Sequence, residues 1–430
     1  MPFSNRLRWV IIGLIGLATV INYIDRTSLA VMWPAISRDT GLTKDAYATV
    51  ISAFMVCYAV GQALGGRLFD RIGTRLGFVA SITVWSVACA LHAAVRSALG
   101  LGAVRGMLGV SEAGNWPGAT KAVAEWFPRH ERAFAQGIFN AGASIGAVVS
   151  APVIAALFLL LGWRATFVVV GAIGLAWLVP WLVIARSSPE RHAWLTAAER
   201  AHILGDEEPA AAETGRPALT LTGSLRHRQT WAIVLSRFFL DPIWWLFVNW
   251  LPIYLADRFH FNVQEIGMFA WVPYVGAAAG SLGGGWYSGF RIRQGWTVDR
   301  ARKQAIVVGG AMTIPGFLLA AFAATPLLAV LAIALVLAGF QVMINNIQTL
   351  PSDFFAGKSV GTVAGVGGLS AVGGVLVFST WLVPALSRVS YVPVFLLGAA
   401  LVPLAIASVY VFSGEIRRVD SIPDRVNSPA

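Results

Sequence analysis

The sequence predicts an all-α membrane protein in which twelve transmembrane helices form two pseudo-symmetric six-helix bundles. Its 430 residues are 57% hydrophobic and only 12% charged, whereas soluble domains contain roughly 25% charged residues. Apolar runs of about 20 residues, the length that crosses a bilayer, recur from one end of the chain to the other. A long polar segment then divides these runs into two sets of six.

The polar segment, residues 187–228, is charged and rich in Ala and Pro. It contains a capping box at Thr196 and Glu199, which predicts a short surface helix. We therefore expect an N-terminal six-helix bundle over residues 1–186, a cytoplasmic linker over 187–228 and a C-terminal bundle over 229–430. The twelve spans are predicted at about 8–33, 45–66, 76–96, 98–119, 133–160, 164–186, 229–256, 264–288, 304–323, 326–350, 359–386 and 390–413.

The basic residues carry information about orientation. The chain has 32 Lys and Arg against 21 Asp and Glu, a formal net charge of +11. Most of the basic residues lie on one side of the predicted membrane, which the positive-inside rule identifies as the cytoplasm. The charge therefore predicts topology, with both termini cytoplasmic, and no nucleic-acid partner. The basic residues on the opposite side are Arg38, Lys44, Arg96, Arg164, Arg258 and Arg388.

The sequence contains no pattern typical of an enzyme or a metal site. Cys57 and Cys89 both lie in predicted spans, which excludes a disulfide framework or a CxxC signature. The six histidines fall in loops or at helix ends, and HExxH is absent. Since catalysis needs a nucleophile and a base, or metal ligands, close together, we expect no enzyme activity, no metal and no cofactor. The first apolar run continues past spanning length without a cleavage site, which predicts a retained first helix.

The two halves repeat a pattern at equivalent turns. Residues 65–75 follow the second span and 283–303 follow the eighth, while 125–146 and 353–374 follow the fourth and tenth spans. Parallel repeats of this kind predict a substrate site between the halves near the middle of the membrane. The glycines of these segments indicate close helix packing, with or without a surface on which the halves rock.

The segment 65–75, GGRLFDRIGTR, combines glycine with charge. Its charges can pair with one another and with a neighbouring helix end. A loop that only sets topology explains the arginines, but not the spacing of glycine and aspartate. We therefore predict a gating loop that uses Asp70, Arg71 and Arg75.

Two adjacent charges, Asp25 and Arg26, interrupt the apolar first span. A charge at the membrane centre costs roughly 2.5–3.5 kcal/mol on insertion scales and normally faces protein, water or a ligand. Adjacent helical side chains point about 100° apart, so these two need not neutralise each other. Arginine suits a bidentate carboxylate clamp, and burial favours the protonated form of an aspartate. The alternative is a permanent internal ion pair.

Further charges lie in the fourth and seventh spans. Arg105 and Glu112 are seven residues apart on one helix face, so they form a second buried pair or each contacts the first span. Glu112 is thereby a second candidate for carrying a proton, with a static bridge as the alternative. Arg237 and Asp241 are four residues apart, a spacing at which helical side chains meet.

Aromatic and amide side chains extend this polar interior. Trp244 and Trp245 follow Pro242 in the seventh span, and such rings suit the apolar faces and hydroxyls of a sugar, although interfacial tryptophans are usually anchors. Each uncharged polar group alone is better explained as a contact between helices, whereas together they suggest a hydroxyl-rich ligand. These groups are Tyr23, Tyr58, Gln62, Asn115, Asn140, Tyr274, Asn345, Asn346 and Gln348.

The chain resembles the anion:cation symporter family of the major facilitator superfamily. The resemblance is carried by NYIDR at residues 22–26, by Arg105 with Glu112, and by the loop that starts at Gly65. Two longer segments, Glu112–Pro128 and Arg237–Leu255, resemble bacterial hexuronate transporters.

This resemblance implies the major facilitator fold and proton-coupled import of a sugar-acid anion by a monomer in the bacterial inner membrane. Arg26 would bind the substrate carboxylate, helped by Tyr23 and Tyr58, and Arg237 would be a second anion contact. The predicted substrate-binding residues are Tyr23, Arg26, Tyr58, Asn140, Arg237, Trp244, Trp245, Asn346 and Gln348. The predicted proton-coupling residues are Asp25, Glu112 and Arg105, with protons as the only coupling ion.

The resemblance favours a hexuronate, glucuronate or galacturonate, over other anions. Galactonate transporters carry a glutamine in the fifth helix where this chain has Ala143, next to Ser144. The nearest alternative is a transporter of an aldonate, an aromatic acid or a dicarboxylate. A nontransporting membrane sensor is a further alternative, but the tail after Ser413 is too short for a signalling domain.

Overall fold

The computed structural model describes residues 6–205 and 219–419, and within these ranges every regular element is helical. The first half contains α1 Leu7–Thr40, α2 Lys44–Leu91, α3 Ala98–Ala113, α4 Asn115–Trp126 and α5 Arg129–Ile184. Two short helices, α6 Ala197–Leu204 and α7 Leu221–Ser224, belong to the linker. The second half contains α8 Arg228–Phe259, α9 Val263–Phe269, α10 Val272–Arg293, α11 Val298–Ala321, α12 Pro326–Phe354, α13 Val360–Val375, α14 Val383–Ser387 and α15 Tyr391–Ser413.

These helices supply the twelve predicted spans. Eight helical segments of the described chain are long and apolar enough to cross a membrane. Two of them, α2 and α5, each hold two spans, because Gly73 (φ 79°, ψ 167°) and Gly162 (φ 74°, ψ 168°) interrupt the helical backbone. The pair α3 and α4 forms one further span, and α10 forms another. The prediction of an all-α protein with twelve spans is therefore confirmed.

Each half has its own hydrophobic core. Phe139 and Phe167 belong to a buried cluster formed by the first half, whereas Phe247 and Phe317 belong to one formed largely by the second half. The linker helix α6 packs on the first half, since its Ile203 is buried in the first cluster. Buried amide side chains connect the two halves, since Asn140 of α5 bonds to Gln348 of α12.

Helices from the two halves approach closely along α2 with α13 and along α5 with α10. At these crossings glycine brings backbone against backbone. A Cβ atom on Gly66 would meet the carbonyl group of Gly361, and one on Gly137 would meet the carbonyl oxygen of Ser281. Small residues permit such contact between helices, so the glycine-rich repeats form the surfaces at which the halves meet.

Replacing Gly73 by alanine should destabilise the protein, because its backbone conformation is accessible to almost no residue except glycine. We expect Gly73→Ala to lower the free energy of unfolding by about 1–3 kcal/mol. Gly13→Ala is the matched control: Gly13 lies inside helix α1, where alanine is favoured, and at both positions a Cβ atom has no neighbour within 4 Å. Thermal unfolding of the purified variants in detergent measures the difference, and equal melting temperatures would contradict the assignment.

Candidate functional site

A cavity with about 560 Å³ of empty space, part of it open to solvent, lies between the two halves. Helices α1, α2, α4 and α5 line it from one half, and α8, α12 and α13 line it from the other. The sequence predicted a site at this boundary. The lining residues are Tyr23, Arg26, Tyr58, Gln62, Trp116, Asn140, Ala143, Arg237, Asp241, Trp244, Trp245, Phe340, Gln341, Ile344, Gln348, Gly368, Ala371 and Val372.

Aromatic rings surround the guanidinium group of Arg26. Its central carbon lies 4.7 Å from the ring centre of Tyr58, 5.4 Å from that of Phe54 and 5.6 Å from that of Trp245. Rings within about 6 Å of a cation attract it electrostatically and exclude water from it. Arg26 therefore keeps its charge in a largely apolar enclosure that opens on the cavity.

Arg26 forms an ion pair with Glu112 of α3, which is fully buried. Both Nε and Nη2 of Arg26 donate to the same oxygen, Oε2 of Glu112, at 3.3 and 3.2 Å, and Nη2 also donates to Asn22 at 3.1 Å. Nη1 of Arg26 has no hydrogen-bond partner of good geometry among the described residues. Since an unmatched buried donor is costly, this nitrogen is a natural partner for a ligand oxygen.

Arg105 and Asp25 lie behind this ion pair. Arg105 donates to the backbone carbonyl of Arg26 and not to Glu112, so Arg105 and Glu112 each contact the first span, one of the two arrangements that their spacing allows. Asp25 is fully buried, and neither of its carboxylate oxygens accepts a hydrogen bond of good geometry from the described residues. Among the described residues, Asp25 and Arg26 form no ion pair with each other. The permanent pair considered from the sequence is therefore not formed.

Arg237 and Asp241 of α8 meet as their spacing predicts. Nε of Arg237 donates to Oδ2 of Asp241 at 3.2 Å, and Nη2 donates to Oδ1 at 3.0 Å. This is a bidentate pair, the geometry in which a guanidinium and a carboxylate bind each other most strongly. Both residues line the cavity, so its second arginine is already occupied by a carboxylate.

Trp244 connects the two halves and is not a membrane anchor. Its indole nitrogen donates to the hydroxyl of Tyr23 at 3.0 Å, and its ring stacks on Phe340 at 6.0 Å. Trp244 is 7% exposed. Trp245, the next residue, lines the cavity beside Arg26. Both tryptophans predicted to contact substrate therefore reach the cavity.

Amide side chains also join the halves. Asn140 of α5 donates to both Asn345 and Gln348 of α12, each at 2.6 Å, and Gln136 donates to Gln348 at 2.8 Å. Of these, Asn140 and Gln348 line the cavity, as predicted. The network leaves polar atoms at one wall of an otherwise aromatic site.

The prediction that Asn346 contacts substrate is not supported by its position. Asn346 is buried outside the cavity lining, and its amide donates to the carbonyl of Val342 at 2.8 Å. Gln341 takes its place, with a buried side-chain oxygen that has no partner in the described chain. Gln341 lies seven residues before Gln348 on the same helix face, a spacing that could have identified it. Trp116 was also missed.

Comparison with known proteins agrees with this architecture. The Major Facilitator Superfamily model matches residues 15–378. The chain belongs to the major facilitator superfamily. It is 32% identical to the hexuronate transporter of Escherichia coli K12 over 366 aligned residues. The alignment covers 85% of this chain and 84% of that protein. It is 33% identical to the galacturonate transporter of Dickeya chrysanthemi over 313 aligned residues. This alignment covers 72% of this chain and 90% of that protein.

The fold is also similar to a solved structure, that of the human organic anion transporter MFSD10 (TETRAN). The TM-score is 0.69 at 17% identity, over 94% of this chain and 99% of that one. At this identity the similarity shows the fold alone. With the family established, the chain is a multi-pass membrane transporter and not an enzyme.

The transporter is closed at the end of the bundle where α6, α7 and Gly73 lie, which we call the linker face. Asp70 of α2 crosses to the opposite half, where it accepts hydrogen bonds from the backbone nitrogens of Gly361 at 3.0 Å and Thr362 at 2.6 Å. It also forms a buried ion pair with Lys121 at 3.0 Å. A carboxylate at the start of α13 matches the positive end of the helix dipole.

Arg71 and Arg75 do not take part in this closure, contrary to the gating loop predicted from the sequence. Both are exposed, and neither forms an ion pair within the described residues. The reason is that α2 remains helical until Gly73. Because successive helical residues rotate by about 100°, the helix directs Asp70 at the opposite half and Arg71 away from it.

Two other basic residues close the linker face and were missed. Arg132 of α5 donates to the carbonyl of Ser352 at 2.8 Å. Arg302 of α11 pairs with Asp353 at 3.0 Å and donates to the carbonyl of Arg129 at 2.8 Å. These contacts join parts of the chain that are far apart in sequence, so no local spacing predicts them.

The linker face also brings two histidines together, although the sequence places them far apart. Ligand atoms of His130, Glu131 and His202 all lie within 4.8 Å of one another. Such a set can ligate a metal ion such as Zn²⁺. Glu131 is also the ion-pair partner of Arg8, at 2.8 Å. The contacts of Glu131 join three helices, because it also bonds to His202 of α6 at 3.1 Å.

Removing the charge of Asp70 should open the linker face. Asp70→Asn keeps the shape but loses the ion pair with Lys121, and breaking a buried pair typically costs about 3–5 kcal/mol. We expect faster labelling of a cysteine introduced at Ser352 by a membrane-impermeant maleimide added from the linker-face side, with Cys57 and Cys89 replaced by serine. Arg71→Gln is the control and should leave the rate unchanged. A labelling rate unaffected by Asp70→Asn would exclude the gating role.

Proposed function

We propose that this transporter imports a hexuronate, glucuronate or galacturonate, together with protons, by alternating access across a bacterial inner membrane. It would act as a monomer with both termini in the cytoplasm. The observation that carries the proposal is the Arg26–Glu112 ion pair at the wall of a cavity between the halves. The identity to relatives named as hexuronate and galacturonate transporters supports this choice of substrate.

Substrate binding would follow from exchange at Arg26. When Glu112 takes up a proton, its attraction for the guanidinium falls, and a substrate carboxylate can replace it. Nη1 of Arg26, which has no hydrogen-bond partner of good geometry among the described residues, supplies a second donor for bidentate binding. Tyr58 and Trp245 would pack against the sugar ring, whose C–H faces suit aromatic side chains.

The hydroxyl groups of the sugar would be recognised by the amides of the cavity. The side-chain oxygens of Gln62 and Gln341 have no hydrogen-bond partner of good geometry in the described chain. Both residues line the cavity, as do Asn140 and Gln348. A site with buried unpaired acceptors discriminates strongly in favour of ligands that carry matching donors. A polyhydroxylated acid satisfies this requirement better than an aromatic acid.

Proton coupling would use the two buried carboxyl groups, Asp25 and Glu112. One elementary charge crossing a potential of 100 mV is worth about 2.3 kcal/mol. A monoanion therefore needs at least two protons before an inside-negative potential can drive its uptake. Two carboxyl groups inside the first half match that minimum. Arg105 donates to the backbone carbonyl of Arg26, the residue that follows Asp25 and pairs with Glu112.

Transport would alternate between this state, closed at the linker face, and one in which that face opens. Opening has to break the contacts of Asp70 with α13 and the contact of Arg132 with Ser352. A substrate that neutralises Arg26 in place of Glu112 would couple binding in the cavity to opening of the linker face. The linker face would then be the cytoplasmic exit.

The proposed substrate is tested by uptake into proteoliposomes that hold the purified protein. We expect radiolabelled galacturonate or glucuronate to accumulate when the outside is made acidic, and accumulation to collapse with a protonophore. Absence of uptake, together with transport of a different organic anion under the same gradient, would reject the hexuronate assignment.

The coupling role of Asp25 is tested by Asp25→Asn, which retains volume but cannot release a proton. We expect gradient-driven accumulation to be lost while exchange of internal for external substrate persists. Asp39→Asn is the control, because Asp39 lies on the same helix in an exposed ion pair with Arg164. Unaltered accumulation by Asp25→Asn would remove Asp25 from the coupling mechanism.

A further inference from the structure

We propose that Asp241 makes the transporter selective for substrates with a single carboxylate, by occupying the second arginine of the cavity. This inference rests on the proposed function, since it concerns the charge of the sugar acid that is carried. Sugar acids occur both as monoanions, such as hexuronates and aldonates, and as dianions that carry a carboxylate at each end. A cavity with two available arginines would bind the dianions well.

The structure contains two arginines in the cavity, but only one of them can become available. Within the described chain, the charged residues that line the cavity are Arg26, Arg237 and Asp241. Asp241 neutralises Arg237, so protonation of Glu112 leaves one uncompensated positive charge, at Arg26. A second carboxylate would lie near Asp241 without a cation of its own, and a buried unpaired charge is strongly disfavoured.

The two ion pairs differ in how readily they open. Glu112 uses a single oxygen to accept both hydrogen bonds from Arg26, and its other oxygen has no partner among the described residues. Asp241 engages Arg237 with both oxygens.

The location of each partner points the same way. Glu112 reaches Arg26 from another helix, whereas Asp241 stands one turn from Arg237 on the same helix. A partner four residues away on the same helix stays beside Arg237 when helices shift against one another, so a substrate carboxylate would have to compete with it directly. The bonds of Arg237 to Asp241 use Nε and Nη2, which leaves Nη1 to donate to a hydroxyl or ring oxygen of the substrate. Arg237 is thus a contact for a neutral group and not for a second carboxylate.

The experiment compares two pairs of anions: gluconate with glucarate, and galacturonate with galactarate. The members of each pair share a carbon skeleton and differ in one carboxylate. Each is used to inhibit uptake of radiolabelled galacturonate by proteoliposomes. In the wild type we expect the dianions to be poor inhibitors. In Asp241→Asn, which frees Arg237, we expect the half-inhibitory concentration of the dianions to fall about tenfold or more relative to the monoanions.

A charge-balanced double variant separates charge from space. Asp241→Asn combined with Arg237→Gln removes both charges, and we expect it to lose the gain for dianions. Asp241→Glu preserves the ion pair and should exclude dianions as the wild type does. A double variant that retains the gain would show that the space released at position 241, and not Arg237, admits the dianion, which would overturn the proposal.

Binding measured by thermal shift on the purified proteins separates this proposal from the proposed function. Failure of the wild type to transport any hexuronate would reject the function but leave the comparison of gluconate with glucarate intact. A larger stabilisation by glucarate in Asp241→Asn than in the wild type supports the role of Asp241, whichever anion is transported. Equal responses of the wild type and Asp241→Asn, or a wild type that already binds dianions as well as monoanions, overturn it.

Discussion

The ion pair between Arg26 and Glu112 is the interaction on which the remaining structure of this transporter depends. It places a cation and an anion out of water, where neither can remain without a partner. Aromatic rings exclude water from the guanidinium, and the single shared oxygen of Glu112 leaves one donor of Arg26 unused. The arrangement therefore favours an exchange in which a substrate carboxylate takes the place of Glu112 once that residue is neutral.

The proposed exchange would affect transport because the ion pair lies where the two halves meet. Trp244 of the second half bonds to Tyr23, one turn from Arg26, and Asn140 bonds across to α12. Toward the linker face, glycine contacts and the bonds of Asp70 with α13 close the path. Under the proposed mechanism, a change of charge in the cavity would act on helices that are packed directly against the opposite half.

Local patterns predicted what is local in this structure. The twelve spans follow from apolar run length, and the Arg237–Asp241 pair follows from a four-residue spacing. The sequence left two partners open for Glu112, Arg105 or the first span, because the choice depends on how α1 and α3 pack. Asp70 and Arg71 look equivalent as charged neighbours in the sequence. Because the helix continues through both, their side chains point about 100° apart, and only Asp70 reaches the opposite half. Asn346 was chosen for its polarity, but its position on α12 directs it away from the cavity.

The central claim, that Glu112 and the substrate carboxylate compete for Arg26, is tested most directly by the pH dependence of binding to Glu112→Gln. Galacturonate affinity is measured by calorimetry on purified protein from acidic to alkaline pH. In the wild type we expect affinity to fall as pH rises, because ionised Glu112 reclaims Arg26. Glu112→Gln cannot ionise, so its affinity should stay near the acidic wild-type value. The same loss of affinity with rising pH in Glu112→Gln as in the wild type would contradict the account.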